Sequence, residues 1–221
     1  MDTLLAPDHF FNLANYAHAE LFADCDKVWE ALDKIIDYLS AQTLGQIDGE
    51  IAQGAYLIDS HLISIGEGSV VEPGAYIKGP CFIGKGCAIR HGAYIRGNTI
   101  TGDGCVIGHD TETKNAIFLD GAKAAHFAYV GDSILGNNTN LGAGVKCANL
   151  RFDGLPILLR LGDQKIETGR RKLGLILGDD AQVGCNAVPG PGTLMEKRSR
   201  ALPCLSFNGF IQENPLASDT L

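Results

Sequence analysis

The sequence predicts an all-β solenoid of hexapeptide repeats, preceded by a small α-helical segment. An aliphatic residue or threonine recurs every six residues, and a small residue follows each of the first eight of them four places on. The recurring residues are Ile65, Val71, Ile77, Ile83, Ile89, Ile95, Thr101, Ile107, Thr113 and Leu119, and the small ones are Ser69, Ala75, Cys81, Cys87, Ala93, Thr99, Cys105 and Thr111. Such a short fixed period indicates units that bury their apolar faces only by stacking, whereas an α-helix needs a period of about 3.6.

The segment before the repeats, residues 1–48, is expected to be an α-helical cap, with its helices between residues 8 and 44. Its clearest signal is an apolar stripe at helical spacing, formed by Val28, Leu32, Ile35, Ile36 and Leu39. Asp24 or Asp26 is a candidate N-cap for this helix. Because the stripe needs an apolar partner, we expect the segment to cover the open first coil near residues 51–62.

The repeats are expected to form one solenoid over residues 49–194, with an inserted loop at 149–173 and a C-terminal tail at 195–221. Long insertions in a solenoid sit on one face and often carry function. The column of small residues fails at Ile117 and Lys123, where we expect a backbone bulge or a side chain that is needed there.

The charge distribution argues against nucleic acid as a partner. The chain has 221 residues and a formal net charge of −8, and residues 1–50, with 2 basic and 10 acidic side chains, account for all of it. The solenoid is neutral, whereas nucleic-acid binding needs a basic patch. A local excess of Lys and Arg between residues 165 and 200 is either solvated loop charge or a cradle for phosphorylated ligands.

No membrane span and no secretory signal are expected. The sequence has no run of 18 apolar residues, and its N-terminus lacks a basic region followed by an apolar stretch. These features predict a cytoplasmic location.

The cysteines and histidines suggest neither disulfides nor a metal site. Cys81, Cys87 and Cys105 occupy small-residue positions of the repeat, which favours reduced, buried thiols. The six histidines contain no His-x4-His pair of the kind found in β-helical zinc enzymes, so we expect no metal in this domain.

Three motifs resemble those of a known enzyme family. They are TETK at 111–114, KAAHFAYVGDS at 123–133 and NLGAG at 140–144. In order and spacing they are similar to the acetyltransferase domain of bifunctional UDP-N-acetylglucosamine pyrophosphorylase/glucosamine-1-phosphate N-acetyltransferases. NLRFDG at 149–154 and TGRRKLG at 168–174 resemble the archaeal-type sugar-1-phosphate nucleotidylyltransferase branch of that family.

The resemblance implies a left-handed parallel β-helix with three hexapeptides per triangular coil, assembled as a homotrimer. It implies acetyl transfer from acetyl-CoA, as co-substrate, to the amine of an amino-sugar 1-phosphate, glucosamine 1-phosphate above all, in nucleotide-sugar synthesis. The family's nucleotidyltransferase domain does not precede the repeats, so a separate nucleotidyltransferase chain is a possible partner. Few repeats are recognisable after residue 189, whereas the bacterial relatives continue further and use those coils for coenzyme A.

The motif match assigns His126 as the general base, because attack on a thioester needs a neutral amine and a group that takes its proton. Glu112 would orient the imidazole. Arg96 and Lys114, 18 residues apart, would bind the phosphate, as would Lys172.

The remaining family positions concern the sugar and the coenzyme. Tyr129, Asn140 and Asn149 match residues that hold the sugar. Ala143 and Cys185 match coenzyme contacts, and the basic residues Arg198 and Arg200 are further candidates for coenzyme binding.

Two other functions stay open at this point. The chain is alternatively a non-catalytic β-helical subunit that binds a sugar phosphate or a separate nucleotidyltransferase. In the second alternative, it acetylates an amino sugar linked to a nucleotide.

Overall fold

The computed structural model describes residues 2–162, 164–212 and 216–217, and these form a left-handed parallel β-helix of about nine turns, as predicted. Each coil has three straight sides, which we name face A, face B and face C in chain order. Strands of successive coils pair in parallel along each face. The β-helix is therefore a triangular prism, and each of its three sides is a parallel β-sheet.

The strands of face A are Glu50–Ile51, Val70–Val71, Ala88–Ile89, Val106–His109, Lys123–His126, Asn140–Leu141, Gln182–Val183, Arg200–Ala201 and Leu216–Ala217. Those of face B are Tyr56–Ile58, Tyr76–Lys78, Tyr94–Ile95, Glu112–Lys114, Tyr129–Gly131 and Lys146–Cys147, continued by Val188–Pro189 and Ser206–Phe207. Those of face C are Ile63–Ile65, Cys81–Ile83, Thr99–Thr101, Ala116–Phe118, Ile134–Leu135, Leu175–Leu177, Thr193–Met195 and Phe210–Ile211.

The interior is filled by the residues that the six-residue period predicts. The first nine of the ten recurring residues are buried, because every second side chain of a strand points into the coil. Cys81, Cys87 and Cys105 are buried free thiols, as expected from their small-residue positions.

The tenth recurring residue, Leu119, does not line the interior. Cys81 pairs with Thr99, 18 residues on, but Thr99 pairs with Ala116, only 17 residues on. This coil is one residue shorter, so Phe118 takes the interior position opposite Thr101, and Leu119 joins an apolar cluster outside face C. The bulge that was expected at Ile117 and Lys123 does not occur in the pairing of the described residues. Because the coil is one residue shorter, the side chains of Ile117 and Lys123 point outward instead.

The N-terminal segment is helical in separate short pieces, whereas the prediction placed helices throughout residues 8–44. It contains the helices α1 (Pro7–Phe10) and α2 (Ala31–Ala41), and the 3-10 turns Asp2–Leu5, Ala19–Phe22 and Val28–Glu30; another 3-10 turn, Ser60–Leu62, lies in the first coil. Of the predicted stripe, Ile36 is 56% exposed and does not join the core. Asp24 and Asp26 do not cap α2, because its N-cap is Glu30.

Most of the segment runs along the outside of face C, and its end covers the first coil there, because Ile47 forms a parallel bridge with Ile65. The backbone N–H of Asn12 donates to Asp179 Oδ2 (2.7 Å), and the ring of His18 packs on Phe82 with centroids 4.5 Å apart. Four strand spacings of about 4.8 Å separate those coils. Six residues of α-helix would span only about 9 Å. The chain between Asn12 and His18 instead forms turns, in which the N–H of Tyr16 donates to Leu13 O (3.2 Å) and that of Ala19 donates to Tyr16 O (3.1 Å).

Apolar packing explains this path. Outward residues of face C, Ile100, Ile117 and Ile134 among them, are buried with aromatic side chains of the segment, including Phe11 and Trp29. Covering a whole sheet buries more apolar surface than closing one end of the solenoid.

The inserted loop and the C-terminal coils complete the fold. Within 149–173, the strands Leu158–Leu161 and Gln164–Glu167 form an antiparallel hairpin, and an ion pair between Arg170 and Asp33 joins the loop to α2. After the loop, Ile176 pairs with Ile134, so stacking resumes. The expected tail from residue 195 continues the coils to 217 instead, since Met195, Ala201 and Phe207 keep the six-residue period.

Candidate functional site

Five of the predicted residues lie together on the outside of face B and at the corner where it turns into face C. Glu112 pairs with Tyr94 on one side and Tyr129 on the other, so Lys114 lies beside Arg96 on the next coil, about 4.8 Å away along the backbone. Arg96, Glu112, Lys114 and Tyr129 point outward by strand alternation. Asn149 reaches the same corner from the start of the inserted loop.

A buried carboxylate that was not predicted as a site residue joins this group. Asp132 is 4% exposed and accepts hydrogen bonds from Lys114 Nζ (3.1 and 3.3 Å), Asn115 Nδ2 (3.0 Å) and Asn149 Nδ2 (2.6 Å). Its φ of 49° is in the left-handed region, which aspartate tolerates better than most residues. Asp132 thus fixes the lysine and the amide relative to each other. The signal for it is the Gly-Asp that ends the motif at 123–133.

Tyr129 presents a hydroxyl whose proton is available to a ligand. Asn149 Nδ2 donates to Tyr129 Oη (3.2 Å), so the hydroxyl acts as acceptor in that contact. Burial raises the pKa of Tyr129, and the bond from Asn149 partly offsets this. The phenol is therefore neutral near pH 7 and is a hydrogen-bond donor toward the open side of face B.

Glu112 does not orient His126, contrary to the prediction. Its Oε1 accepts from Arg96 Nη1 at 2.7 Å, with the two side chains 35% and 43% exposed. The His126 ring makes no hydrogen bond to any of the described residues. Glu112 is thus a partner of Arg96, the arginine predicted to bind phosphate, and a phosphate bound there would compete with Glu112 for the guanidinium.

His126 lies at the corner between faces A and B, together with two predicted coenzyme residues. The backbone N–H of Gly144 donates to His126 O (3.0 Å), and that of Asn186 donates to Ala143 O (2.8 Å). His126, Ala143 and Cys185 therefore follow one another along this corner on successive coils. The Ala143 N–H itself donates to none of the described groups, and the side chains of His126 and Cys185 are exposed.

Lys172 returns to the neighbourhood of the Asp132 corner. It forms an antiparallel bridge with Leu150, and the next residue, Leu173, donates its N–H to Asn149 O (3.1 Å). Its side chain is exposed. The fold thus places the backbone of Lys172 beside Leu150, the residue that follows Asn149.

Three predicted residues lie elsewhere in the chain. Asn140 and Arg200 point outward from face A, in the column in which Asn140 pairs with Gln182 and Gln182 with Arg200. Arg198 is at the corner between faces C and A, where it lines a 390 Å³ cavity with Asp179 and other polar residues. These side chains are separated from Tyr129 because consecutive strands of one coil face different directions.

Two further properties concern the described residues as a whole. None of the helices in residues 2–162, 164–212 and 216–217 is long and apolar enough to cross a membrane. Over the same residues, no group of three or more His, Cys, Asp or Glu side chains is arranged to hold a metal ion.

The fold and these outward residues define a left-handed β-helix protein of the hexapeptide-repeat class. A family model described as the GMPPB C-terminal domain matches residues 77–189, just over half of the chain, and the chain belongs to that family.

Individual relatives confirm the similarity inferred from the motifs. The bifunctional sugar-1-phosphate nucleotidylyltransferase/acetyltransferase of Sulfurisphaera tokodaii is 32% identical over 205 residues, which cover 90% of this chain and 49% of that protein. The bifunctional protein GlmU of Methanococcus aeolicus is 31% identical over 180 residues, covering 80% and 42%. The chain thus spans about half the length of these relatives.

Among solved structures, an Arabidopsis UDP-N-acetylglucosamine acyltransferase superposes with a TM-score of 0.42 at 11% identity, covering 75% of this chain and 68% of that one.

Proposed function

We propose that the protein is an N-acetyltransferase that uses acetyl-CoA as co-substrate and acetylates the amine of an amino-sugar 1-phosphate, in particular glucosamine 1-phosphate. The observation that supports this most is the arrangement around Asp132. Two cations for a phosphate, Arg96 and Lys114, lie beside two hydrogen-bonding groups for a sugar, Tyr129 and Asn149. His126 is three residues before Tyr129 on the adjoining corner.

The reaction follows from these positions. The neutral amine attacks the thioester carbonyl, a C–N bond forms and the C–S bond breaks. His126 takes the proton that the nitrogen loses and passes it to the departing thiolate, so the imidazole returns to its starting state. No covalent enzyme intermediate is needed once both substrates are held in line.

The negative oxygen of the intermediate needs a donor close to His126. Ala143 is the next residue along that corner, and its N–H is unused by the other described groups. Backbone N–H groups fixed in this way stabilise oxyanions without reorganisation. Cys185, one coil further, is in position to contact the coenzyme rather than to act as a nucleophile.

We also propose a homotrimer, and a specific feature of the chain supports an oligomer. Asn140 can hold the same sugar as Tyr129 only if face A of one subunit approaches face B of another, because within one chain the two side chains point in different directions. Closed cyclic symmetry brings unlike faces together in this way.

The test is thiol release from acetyl-CoA with glucosamine 1-phosphate, galactosamine 1-phosphate, glucosamine 6-phosphate and free glucosamine as acceptors. We expect release only with the 1-phosphates, and a raised KM for the acceptor in Lys114→Gln. Absence of release with every acceptor would contradict the proposal. It would favour a non-catalytic subunit, to be tested by co-purification with a nucleotidyltransferase.

A further inference from the structure

Face B continues, on the side away from His126, into an exposed column of aromatic side chains. Tyr56, Tyr76 and Tyr94 point outward from three successive coils, with ring centroids 6.4 and 5.4 Å apart. Tyr56 is 58% exposed and Tyr94 44%. We name these three residues the tyrosine column. It ends at Glu112, immediately before the group around Tyr129.

A second outward column runs beside the first. Lys78, Arg96 and Lys114 occupy equivalent places in three successive coils, two residues after Tyr76, Tyr94 and Glu112. We name them the cation column. Its members repeat every strand spacing of about 4.8 Å, so the three span about 10 Å.

The cations differ in whether they already have a partner. Arg96 pairs with Glu112 and Lys114 pairs with Asp132, so these four charges cancel. Lys78 is exposed and makes no ion pair with any described residue. The column therefore carries one uncompensated positive charge, and that charge lies one coil beyond the cations assigned to the sugar phosphate.

We propose that this part of face B is a subsite for a nucleoside diphosphate, so that the amino sugar is accepted in its nucleotide-linked form as well as in its 1-phosphate form. This rests on the proposed function, because the sugar must lie at Tyr129 with its amine toward His126. The C1 phosphate then contacts Lys114 and Arg96, and the second phosphate contacts Arg96 and Lys78. The base of the nucleoside then stacks on Tyr94, the exposed tyrosine two residues before Arg96.

The dimensions and the chemistry agree with this occupant. A diphosphate needs cations spaced by a few ångströms along one line, and arginine between two lysines can share its guanidinium between two phosphates. An aromatic ring stacks on any base and contributes about 1–3 kcal/mol by alanine substitution. A plain sugar 1-phosphate would use neither Lys78 nor the tyrosines.

The experiment measures binding without acetyl-CoA. UDP, dTDP, GDP, inorganic pyrophosphate and inorganic phosphate are titrated into the wild-type protein and into Lys78→Ala, Tyr94→Leu and the control Lys123→Ala by isothermal titration calorimetry. Lys123 is an exposed lysine on face A of a nearby coil. Circular dichroism and the mass in solution are recorded for each variant.

We expect at least one nucleoside diphosphate to bind more tightly than pyrophosphate, and pyrophosphate more tightly than phosphate. Tyr94→Leu should weaken the nucleotide by about tenfold and leave pyrophosphate unchanged, as removal of a stacking partner predicts. Lys78→Ala should weaken both about threefold, and Lys123→Ala neither.

Equal binding of nucleotide and pyrophosphate, or no effect of Tyr94→Leu, would overturn the proposal. A change of oligomeric state in Tyr94→Leu without loss of nucleotide affinity would also overturn it, and would identify the tyrosine column as a contact between copies of the chain. Failure of acetyl transfer is a separate result, since nucleotide binding is measured without it. If the protein acetylates glucosamine 1-phosphate but binds no nucleotide, the proposed function is supported and the nucleoside diphosphate subsite is contradicted.

Discussion

Replacement of Asp132 by asparagine tests whether this buried carboxylate organises the acceptor site. The amide fits the left-handed backbone of residue 132 and keeps the size of the side chain. It has one acceptor oxygen instead of two. Three groups donate to the two oxygens of Asp132, so the variant directs an N–H₂ group at donors from Lys114 or Asn149.

The expected cost follows from burial and charge. Removing one partner of a buried ion pair costs about 3–5 kcal/mol, and a hydrogen bond to a charged group contributes about 1.5–3 kcal/mol. Water replaces part of this, because the Lys114 side chain is 27% exposed. We therefore expect Asp132→Asn to lower the free energy of unfolding by about 2–4 kcal/mol, which lowers Tm by about 4–16 °C for a chain of this size.

The assay combines thermal melts with acceptor kinetics, and Asp110→Asn is the matched control. Asp110 has the same φ of 49° but is exposed and pairs only with His109 (3.3 Å). Asp132→Asn should also raise the KM for the acceptor more than it lowers kcat, since it releases Lys114 and Asn149 but leaves His126 in place. Equal Tm values for the two variants would refute this account of Asp132.

Three other outcomes are expected. His126→Ala should lower turnover about 10²- to 10⁴-fold, whereas His109→Ala, at the paired position of the preceding coil, should stay near wild type; similar rates for both would exclude His126 as the base. Burial lowers the pKa of His18 from 6.5 to about 4, so its neutral form stabilises the fold fully above pH 6.5, and this contribution of about 3 kcal/mol is lost as the pH falls through 4. In chemical denaturation, His18→Gln should remove this part of the pH dependence of the free energy of unfolding, and an unchanged pH dependence would contradict the assignment. Deletion of residues 1–44 should cause aggregation, because it uncovers the apolar outside of face C, and a monodisperse, equally stable product would show that the segment is dispensable.

The period of the sequence was sufficient to predict the interior, because each interior position repeats the same steric requirement. It failed at one point for a physical reason. The six-residue pattern predicts that Leu119 points inward. The coil is one residue shorter, so Phe118 points inward and Leu119 points outward. Because both residues are apolar, the sequence pattern does not show this exchange. Only the pairing of Thr99 with Ala116 reveals the change.

The path of the N-terminal segment could not be predicted from its own residues. Its apolar side chains suit a helix, but their partners are outward residues of face C such as Ile100 and Ile134, which lie about 60 to 130 positions further along the chain. Tertiary burial decided the conformation here, and local propensity decided it only in α2.

The motifs named five residues that the fold brings together on face B, but they did not predict the contacts among them. Asp132 becomes the centre of the site because residue 149 returns to the corner 17 positions later, and the next position on the column, Gly131, has no side chain. A Cβ at Gly131 would lie 2.9 Å from Asn149 Nδ2 and would also contact the Tyr129 hydroxyl. The cation column therefore ends at Lys114, and the space beyond it is kept for the hydrogen bond between Asn149 and Tyr129. The same absence of a side chain that ends the cation column leaves open the space beside Lys114, which is where the proposed function puts the sugar.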